Sequence, residues 1–470
     1  MMKEGVERMK IMLISYDNDS YISWFPQGLG YLAAACRQAG HEVTIYNQDV
    51  YHWPDEHLTD LLDHESFDVV GMGSCGGYYQ YRKILNLCAA VNRSKQRPFL
   101  VLGEHMVSPE PEYFLRKTGA DAIVIGEGEV TLIELLAALT HKTSLEAVKG
   151  IAFLQNNQFV KTPPRELIAD INTIPFPAWD LFPMDHYALL RLPNIKSSER
   201  CMPVLSGRGC TFKCNFCYRM DQGFRARSAD NIIEEIETLK RDYAISYIAF
   251  SDELLMSSVA RTEELCRAFI KAKLNVKWDC NGRLNYARPD VLKLMKEAGC
   301  VFINYGIESM DEQALRNMNK ALTVKQIHDG IENTLAAGIS PGYNIIFGNI
   351  GETRQSLQMG VDFLLKYDDH SQFRTIRPVT PYPGCPLYYH AIEKGLLKDV
   401  EEFYEKRHVN SDLLSVNFTD MTDEEFHRAL FDANQALIEN YFLHAKQQAI
   451  ATAEKLYLQK DASFRGFRQS

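Results

Sequence analysis

The sequence predicts an α/β protein in which two parallel sheets follow one another along the chain. Short apolar runs alternate with amphipathic stretches twice, first from Met9 to about Leu139 and again from about Pro203. A proline-rich stretch that includes Pro163 and Pro183 separates the two series. At 470 residues, 46% of them hydrophobic, the chain is long and apolar enough for more than one core. We therefore expect two α/β domains joined by a linker.

The first series contains five β-α units, which predict a doubly wound, flavodoxin-like parallel sheet. Its strands are expected in the segments KIMLISY, EVTIYNQD, DVVGMGS, FLVLG and AIVIG, and a hairpin follows around Asn156 and Asn157. Ligands bind such sheets at the carboxyl ends of the strands, and three of these ends are rich in glycine. These three loops span residues 71–77, 103–105 and 126–129.

The second series contains six β-α units, which predict a complete or partial barrel with its site at the carboxyl ends of the strands. From Thr422 to Gln459 the pattern is helical, and Thr422 with Glu425 predicts a capping box at the start. The resulting division is a first domain at 1–145, a hairpin and linker at 146–200, a barrel at 201–395 and a C-terminal helical segment at 396–470.

Composition argues against several classes of protein. The net charge of -10, without a basic run, disfavours a nucleic-acid-binding surface. No window approaches the roughly 18 apolar residues that a membrane span needs, and the charged N-terminus does not resemble a signal peptide. Eleven cysteines, an odd number, indicate reduced thiols and a cytoplasmic protein.

Three of these cysteines, Cys210, Cys214 and Cys217, lie within eight residues in the spacing CxxxCxxC, on the loop after the first strand of the second series. A structural zinc site needs four ligands, which Cys201 or a distant histidine would have to complete. An iron–sulfur cluster held by three thiolates instead leaves one iron open to a small-molecule ligand. The position at the carboxyl edge of a barrel favours the cluster.

The CxxxCxxC spacing, with Phe216 before the third cysteine, resembles the defining motif of radical S-adenosylmethionine (SAM) enzymes. The resemblance implies a 4Fe–4S cluster ligated by Cys210, Cys214 and Cys217, with SAM on the open iron. In that family the reduced cluster cleaves SAM to methionine and a deoxyadenosyl radical, which abstracts hydrogen from an unreactive carbon. Phe216 and Tyr218 are expected to line the SAM site.

Other strand ends are similar to the same family, above all the segment Gly306-Ile-Glu-Ser309. The resemblance implies amine, ribose, carboxylate and adenine contacts at these ends. Two of them also have ordinary explanations, a solvated acidic turn at Ser251-Asp-Glu253 and a surface salt bridge at Arg283. The residues expected to contact SAM here are Asp252, Glu253, Asn281, Arg283, Glu308, Ser309 and Gly348.

The first domain resembles the cobalamin-binding domain that precedes the radical SAM barrel in one large subfamily. The similarity lies in Leu102-Gly-Glu-His105, in Ile125-Gly-Glu-Gly-Glu129 and in the later Thr380-Pro-Tyr-Pro-Gly384. The residues expected to contact cobalamin are Ser74, Cys75, Gly76, Gly103, Glu104, His105, Gly126, Glu127, Gly128 and Glu129.

One feature departs from many cobalamin proteins, which carry a DxHxxG motif after the first strand. Here that loop reads Tyr16-Asp-Asn-Asp-Ser-Tyr21 and has no histidine. The lower axial ligand of cobalamin is therefore not predicted. His105 and Cys75 lie on loops at the expected face, where such residues are more often structural contacts.

The resemblance implies a cobalamin-dependent radical SAM methyltransferase, which methylates an unactivated carbon by way of a deoxyadenosyl radical and methylcobalamin. One alternative keeps both cofactors and catalyses a non-methylating oxidation, cyclisation or ring rearrangement. Another is a cobalamin or iron–sulfur sensor, although no output module is evident beyond the helical tail. Expected partners are a small-molecule or peptide substrate and an electron donor such as flavodoxin or ferredoxin. No catalytic residue is predicted beyond the cluster ligands.

Overall fold

The structure is a computed structural model that describes residues 8–20, 23–190, 195–196, 198–221, 223–463 and 467. Within these ranges the first sheet has seven strands in the order β2-β1-β3-β4-β5-β6-β7. Strands β1 to β5 are parallel in the flavodoxin-like order 2-1-3-4-5, which confirms the predicted fold of the first domain. The strands are β1 Lys10–Ser15, β2 Glu42–Asn47, β3 Val69–Gly73, β4 Phe99–Gly103, β5 Ala122–Val124, β6 Ile151–Gln155 and β7 Gln158–Lys161.

Helices cover both faces of the middle of this sheet, so strands β1, β3, β4 and β5 are apolar without alternation. In β1 the residues from Ile11 to Ser15 are all buried. The predicted hairpin, β6 and β7, adds to β5 in the antiparallel sense and so extends the first sheet into the region assigned to the linker. The helices are α1 Gln27–Gln38, α2 Gln48–Tyr51, α3 Asp55–His64, α4 Tyr78–Arg93, α5 Pro111–Thr118 and α6 Gly128–Thr140.

The second sheet is a parallel half barrel in the order β15-β14-β13-β12-β11-β8, as the six β-α units predict. A separate two-stranded antiparallel ribbon, β9 with β10, interrupts the first β-α connection. The strands are β8 Cys201–Val204, β9 Gly207–Arg208, β10 Arg225–Ala226, β11 Tyr247–Phe250, β12 Lys277–Gly282, β13 Cys300–Glu308, β14 Ser340–Phe347 and β15 Arg377–Pro378. The helices are α7 Met184–Tyr187, α8 Ala229–Tyr243, α9 Val259–Ala272, α10 Pro289–Glu297, α11 Glu312–Asn317, α12 Val324–Ala336, α13 Arg354–Lys366, α14 Pro386–Glu393, α15 Val400–Glu402 and α16 Asp423–Ala453.

Helix α16 begins where the sequence predicts, because Thr422 and Glu425 form the expected reciprocal capping box. Its N-terminal half buries Phe426, Leu430 and Leu437 against the barrel core. None of the helices in the described ranges is both long and apolar enough to cross a membrane.

Two segments hold the domains together. The proline-rich stretch carries Phe182 and Tyr187, which pack into the barrel core, while the Tyr187 hydroxyl contacts the buried Asn47 and Ser15 of the first sheet. After the barrel, a segment that includes Tyr388 returns to pack in the core of the first domain. The predicted domain boundaries stay predictions. Residues on both sides of the predicted barrel end at 395, such as Tyr388 and Phe403, pack in the same core of the first domain. The carboxyl edges of the two sheets consequently face each other.

Candidate active site

The three cysteines lie on one loop that rises from the β9–β10 ribbon at the carboxyl edge of the barrel. Cys214 is buried, Cys210 is half-buried and Cys217 is exposed. Cys201, the nearby candidate for a fourth ligand, is fully buried at the amino end of β8, roughly 10 Å of strand away from its carboxyl end. Across the described ranges, no three metal-ligating side chains gather closely enough for a single ion. The cysteine loop itself carries three thiols, the number that a cluster with one open iron requires.

Two buried cations lie beside these thiols. The Arg283 guanidinium is 3.4 Å from the centre of the Phe212 ring on the cysteine loop. The thiol–thiol contact with Cys217, aided by the charges of Lys320 and Arg283, lowers the pKa of Cys214 to about 6, against the effect of burial. Burial raises the pKa of Cys210 and the contact with Cys214 raises that of Cys217, so Cys214 is the thiol favoured as a thiolate. Thiolates are the form that ligates iron, and three thiols are the donor set that a 4Fe–4S cluster with one open iron needs.

Arg283 is already engaged by the protein. Its Nη2 donates to the carbonyl oxygens of Lys320 at 2.5 Å and Ala321 at 3.1 Å. Arg283 is therefore a buried residue that contacts both the cysteine loop and the segment after α11, and it is not an exposed salt bridge. A contact between Arg283 and the SAM carboxylate stays a prediction.

Asp252 and Glu253, adjacent in sequence, face different surroundings. Asp252 is buried and accepts from the backbone N–H of Ser206 at 2.5 Å and from the Ser206 hydroxyl. Burial, despite these bonds, raises the pKa of Asp252 to about 6. Glu253 is exposed, and its charge interacts with Cys210 and with His105. Of the two carboxylates, only Glu253 is open to a ligand in this arrangement.

A row of asparagines crosses the inner wall of the barrel. Asn344 Nδ2 donates to Asn304 Oδ1 at 2.9 Å, and Asn304 Nδ2 donates to Asn281 Oδ1 at 3.0 Å. Asn281 in turn donates to the backbone oxygen of Asp252 at 2.7 Å. Only Asn281 was predicted from the sequence. The available signal for the other two was a single asparagine set within an otherwise largely apolar strand, Asn304 in β13 and Asn344 in β14.

Glu308 and Ser309, from the GIES segment, are both buried and both bonded. Glu308 has a left-handed φ of 72° and forms an ion pair with buried Lys320, Oε1 to Nζ at 2.8 Å. Ser309 contacts Glu352, whose carboxylate accepts from the backbone N–H of Gly348 at 2.8 Å. Lys320 and Glu352 were not predicted, because no sequence motif marks a single charged residue that becomes buried on folding.

Gly348 lies beneath helix α16. A Cβ at this position would come within 2.6 Å of the Phe426 ring, so glycine is required by close packing. Phe347 also stacks on Phe426, with ring centres 4.9 Å apart. An adenine contact at Gly348 stays a prediction.

Across the cleft, the side chains of the glycine-rich loops at residues 71–77 and 103–105 form few hydrogen bonds. Ser74 is buried and accepts from the Tyr16 hydroxyl at 3.3 Å, and Met106 donates its N–H to the Ser74 carbonyl at 3.0 Å. The Cys75 thiol donates to Glu104 Oε1 at 2.8 Å, and burial followed by the charge of Glu104 raises the pKa of that thiol. A Cβ on Gly76 or on Gly103 would make only ordinary van der Waals contacts, at 3.8 and 3.7 Å respectively.

These loops meet the cysteine loop directly. The His105 ring packs edge-on against Tyr218, with ring centres 5.8 Å apart. Tyr382, from the TPYPG segment, lies 3.8 Å from the position of a Cβ on Gly76. Phe216 packs toward the core of the first domain and lies 5.9 Å from Lys320 Nζ. The structure therefore brings the predicted SAM and cobalamin edges into one cleft.

The remaining loop, Gly126 to Glu129, has its carboxylates engaged elsewhere. Glu127 pairs with Arg208 and Arg225 of the barrel at 2.8 and 2.9 Å, and Glu129 pairs with Arg208 at 2.5 Å. Burial raises the pKa of Glu127, but hydrogen bonds from the Ile168 backbone N–H and from Arg208, with the charges of Arg208 and Arg225, lower it overall. Gly128 packs against Leu32. Contacts between this loop and cobalamin stay predictions.

A half barrel with a three-thiol loop, joined to a flavodoxin-like sheet with glycine-rich ends, defines a two-domain radical enzyme. The family models agree: residues 204–364 match the radical SAM superfamily and residues 17–136 match the B12 binding domain. An uncharacterized methyltransferase of Pyrococcus horikoshii is 30% identical over 401 residues, covering 83% of this chain and 84% of the relative. The chain belongs to the cobalamin-binding radical SAM enzyme family, whose cofactors are a 4Fe–4S cluster, SAM and cobalamin.

Two further comparisons bear on fold and activity. The radical SAM methyltransferase TsrM from Kitasatospora setae, solved with cobalamin and a 4Fe–4S cluster, superposes with a TM-score of 0.73 at 17% identity, covering 92% of this chain and 89% of TsrM. At that identity the likeness shows the fold. The anaerobic magnesium-protoporphyrin IX monomethyl ester cyclase of Cereibacter sphaeroides is 26% identical over 391 residues, which cover 78% of this chain and 60% of the cyclase.

Proposed function

We propose that this chain is a cobalamin-dependent radical SAM methyltransferase that methylates an unactivated carbon of a small molecule or peptide. The observation that carries the proposal is the shared cleft, in which Tyr218 of the cysteine loop meets His105 of the glycine-rich edge. Transfer between two cofactors requires that both face one substrate. When bound, SAM on the cluster supplies a hydrogen-abstracting radical and cobalamin supplies the methyl group.

The residues of the chain position these groups and protect them from water. Cys210, Cys214 and Cys217 would hold the cluster, while the nearby charges of Lys320 and Arg283 favour the thiolate form of Cys214. The asparagine row offers fixed amide dipoles along the inner wall of the barrel, suited to ribose hydroxyls. Glu253 is the exposed carboxylate available to the SAM amine.

Anaerobic turnover of the cobalamin-loaded protein with SAM and dithionite tests the proposal. We expect both S-adenosylhomocysteine, from the methyl donor, and deoxyadenosine, from radical formation. The matched control is Cys214→Ala, which should give no deoxyadenosine. Deoxyadenosine without S-adenosylhomocysteine would rule out methyl transfer. Comparing the masses of candidate substrates before and after turnover then identifies the methylated product.

A second candidate is a non-methylating cyclisation that uses the same cofactors. It is favoured by the 26% identity to the anaerobic cyclase of Cereibacter sphaeroides. The two candidates differ in the origin of the product's carbon, because methylation transfers the SAM methyl group to the substrate, whereas ring closure, oxidation or rearrangement does not. A product that carries no label from SAM with a trideuterated methyl group would support this second function.

The proposal includes an external electron donor, such as flavodoxin or ferredoxin, in the cytoplasm. Cys217 and Lys213 are both exposed on the cysteine loop, so a carrier has a short path to the cluster. Reduced flavodoxin and reduced ferredoxin, each added without dithionite, should support deoxyadenosine formation. No turnover with either carrier would refute this part of the proposal.

A further inference from the structure

The cysteine loop stands on the narrow β9–β10 ribbon. The described residues of this loop are 209–221 and 223–224, and the register places Arg208 directly opposite Arg225 at its base. Gly209 has a left-handed φ of 86°, and a Cβ there would lie 2.4 Å from the carbonyl oxygen of Gly223. The two ends of the loop therefore meet closely, and the positions of all three cysteines depend on this base.

Two arginines face each other at that base, which is unfavourable by itself. Like charges directly opposite on neighbouring strands destabilise the pairing. The ribbon pairs only two residues on each strand, Gly207 with Ala226 and Arg208 with Arg225, so backbone bonding alone gives it little stability. A counter-charge is needed to keep the base closed.

Glu127 of the first domain supplies that counter-charge. Its Oε1 lies 2.8 Å from Arg208 Nη1 and 2.9 Å from Arg225 Nη1, and its side chain is 5% exposed. The backbone N–H of Ile168 donates to Oε2 at 2.8 Å and fixes the carboxylate. Glu129 and Asp221 each pair with one of the two arginines, but Glu127 is the carboxylate that pairs with both of them.

We infer that Glu127 is a positioning residue for the iron–sulfur site, and that docking of the cobalamin-binding domain closes the base of the cysteine loop. The barrel then completes its cluster loop only in contact with the other domain. The inference rests on the cofactors of the family and is independent of whether methyl transfer is the outcome. It also gives the Gly126 to Glu129 loop a role between domains in addition to any contact with cobalamin.

The test is Glu127→Gln in the full chain, reconstituted with iron, sulfide and cobalamin. Glutamine keeps the shape but removes the one charge that both arginines share, which leaves Arg208 with Glu129 alone and Arg225 with Asp221 alone. We expect cobalamin content, read from its visible absorbance, to stay within twofold of wild type. The electron paramagnetic resonance spectrum of the reduced cluster with SAM should change in shape, and the rate of deoxyadenosine formation should fall at least tenfold.

A second variant separates charge from shape. Adding Arg225→Gln to Glu127→Gln removes one of the facing charges and should restore at least a third of the lost rate. The matched control is Arg97→Gln, which breaks the half-buried pair with Asp121 inside the first domain and should leave the cluster spectrum unchanged. If Glu127→Gln does not fold, Glu127→Asp, which keeps the charge on a shorter arm, should show the same spectral change with a smaller loss of rate.

Two results would overturn the inference. Loss of cobalamin with a normal cluster spectrum and normal deoxyadenosine formation would make Glu127 a cobalamin contact only. A double variant no faster than Glu127→Gln alone would show that repulsion between the arginines is not the cause. Failure of the proposed methyl transfer would appear separately, as missing S-adenosylhomocysteine in the wild-type protein.

Discussion

The two edges of the cleft differ in how their side chains are bonded. On the barrel edge, Asp252, Arg283 and Glu308 each satisfy a buried charge with protein groups. On the edge of the first sheet, the loops at Ser74 to Gly76 and Gly103 to His105 offer mostly backbone and a single thiol–carboxylate pair. Family motifs on the barrel edge thus build its shape, whereas the loops of the other edge make few side-chain bonds of their own.

The difference teaches which motif residues remain available for cofactors. A buried charge must be paired because an unpaired one is costly. Once it is paired within the protein, its donors and acceptors are largely used. Glu253, Asn344 and Cys217, which are exposed on the barrel side, are therefore better placed to meet a ligand than their buried neighbours.

The largest expected effect comes from removing a cluster ligand. Changing Cys210, Cys214 or Cys217 to Ala should abolish the iron–sulfur absorbance and SAM cleavage together, because three thiolates are the minimum that holds the cluster. Iron content and deoxyadenosine formation measure this. Cys201→Ser, at the buried amino end of β8, is the matched control and should keep both the iron content and the deoxyadenosine formation of wild type.

Breaking the Glu308–Lys320 pair should have the next largest effect. Lys320→Met leaves Glu308 buried without its partner, which costs about 3–5 kcal/mol in the free energy of unfolding. Urea denaturation measures the loss. Adding Glu308→Gln should recover most of it, and equal losses in the single and double variants would show that the pair is not coupled.

Asp252 gives a pH-dependent prediction. Its folded pKa of about 6 is above the unfolded value of 3.8, so the protonated form is favoured by folding. The associated stability is present below pH 4, is lost as pH rises toward 6, and amounts to at most about 3 kcal/mol. Asp252→Asn should remove that slope from the unfolding free energy.

SAM affinity of the same variant sharpens the comparison between the two edges. Because the Asp252 carboxylate bonds Ser206, we expect SAM binding at pH 8 to change less than threefold. Glu253→Gln, the exposed neighbour, should weaken binding about tenfold or more. The reverse order, measured by equilibrium binding, would show that Asp252 is the SAM contact.

The smallest effect is expected on the edge of the first sheet. Cys75→Ser keeps a donor for Glu104, so the free energy of unfolding should change by no more than about 1 kcal/mol. Cobalamin content should also stay near that of wild type. A large loss of cobalamin, read from its visible absorbance, would instead identify Cys75 as a ligand of the cofactor.

Much of this molecule could be predicted from its sequence. Both parallel sheets follow from apolar strands alternating with amphipathic helices, and the Thr422–Glu425 capping box is confirmed. The cysteine loop was predicted from the spacing of its three cysteines, because they lie within eight residues of one another in the sequence. Arg208 and Lys320 were not predicted, since the fold brings each to its partner, Glu127 for Arg208 and Glu308 for Lys320. Glu352 was not predicted because its contact with Ser309 likewise arises only in the folded chain.

The most direct test of the central claim follows the methyl group itself. The cobalamin-loaded protein is reduced anaerobically with SAM carrying a trideuterated methyl group, and the cobalamin is then recovered for mass spectrometry. The account predicts a corrinoid that is heavier by one trideuterated methyl group. Cobalamin recovered unmodified while deoxyadenosine accumulates would contradict it.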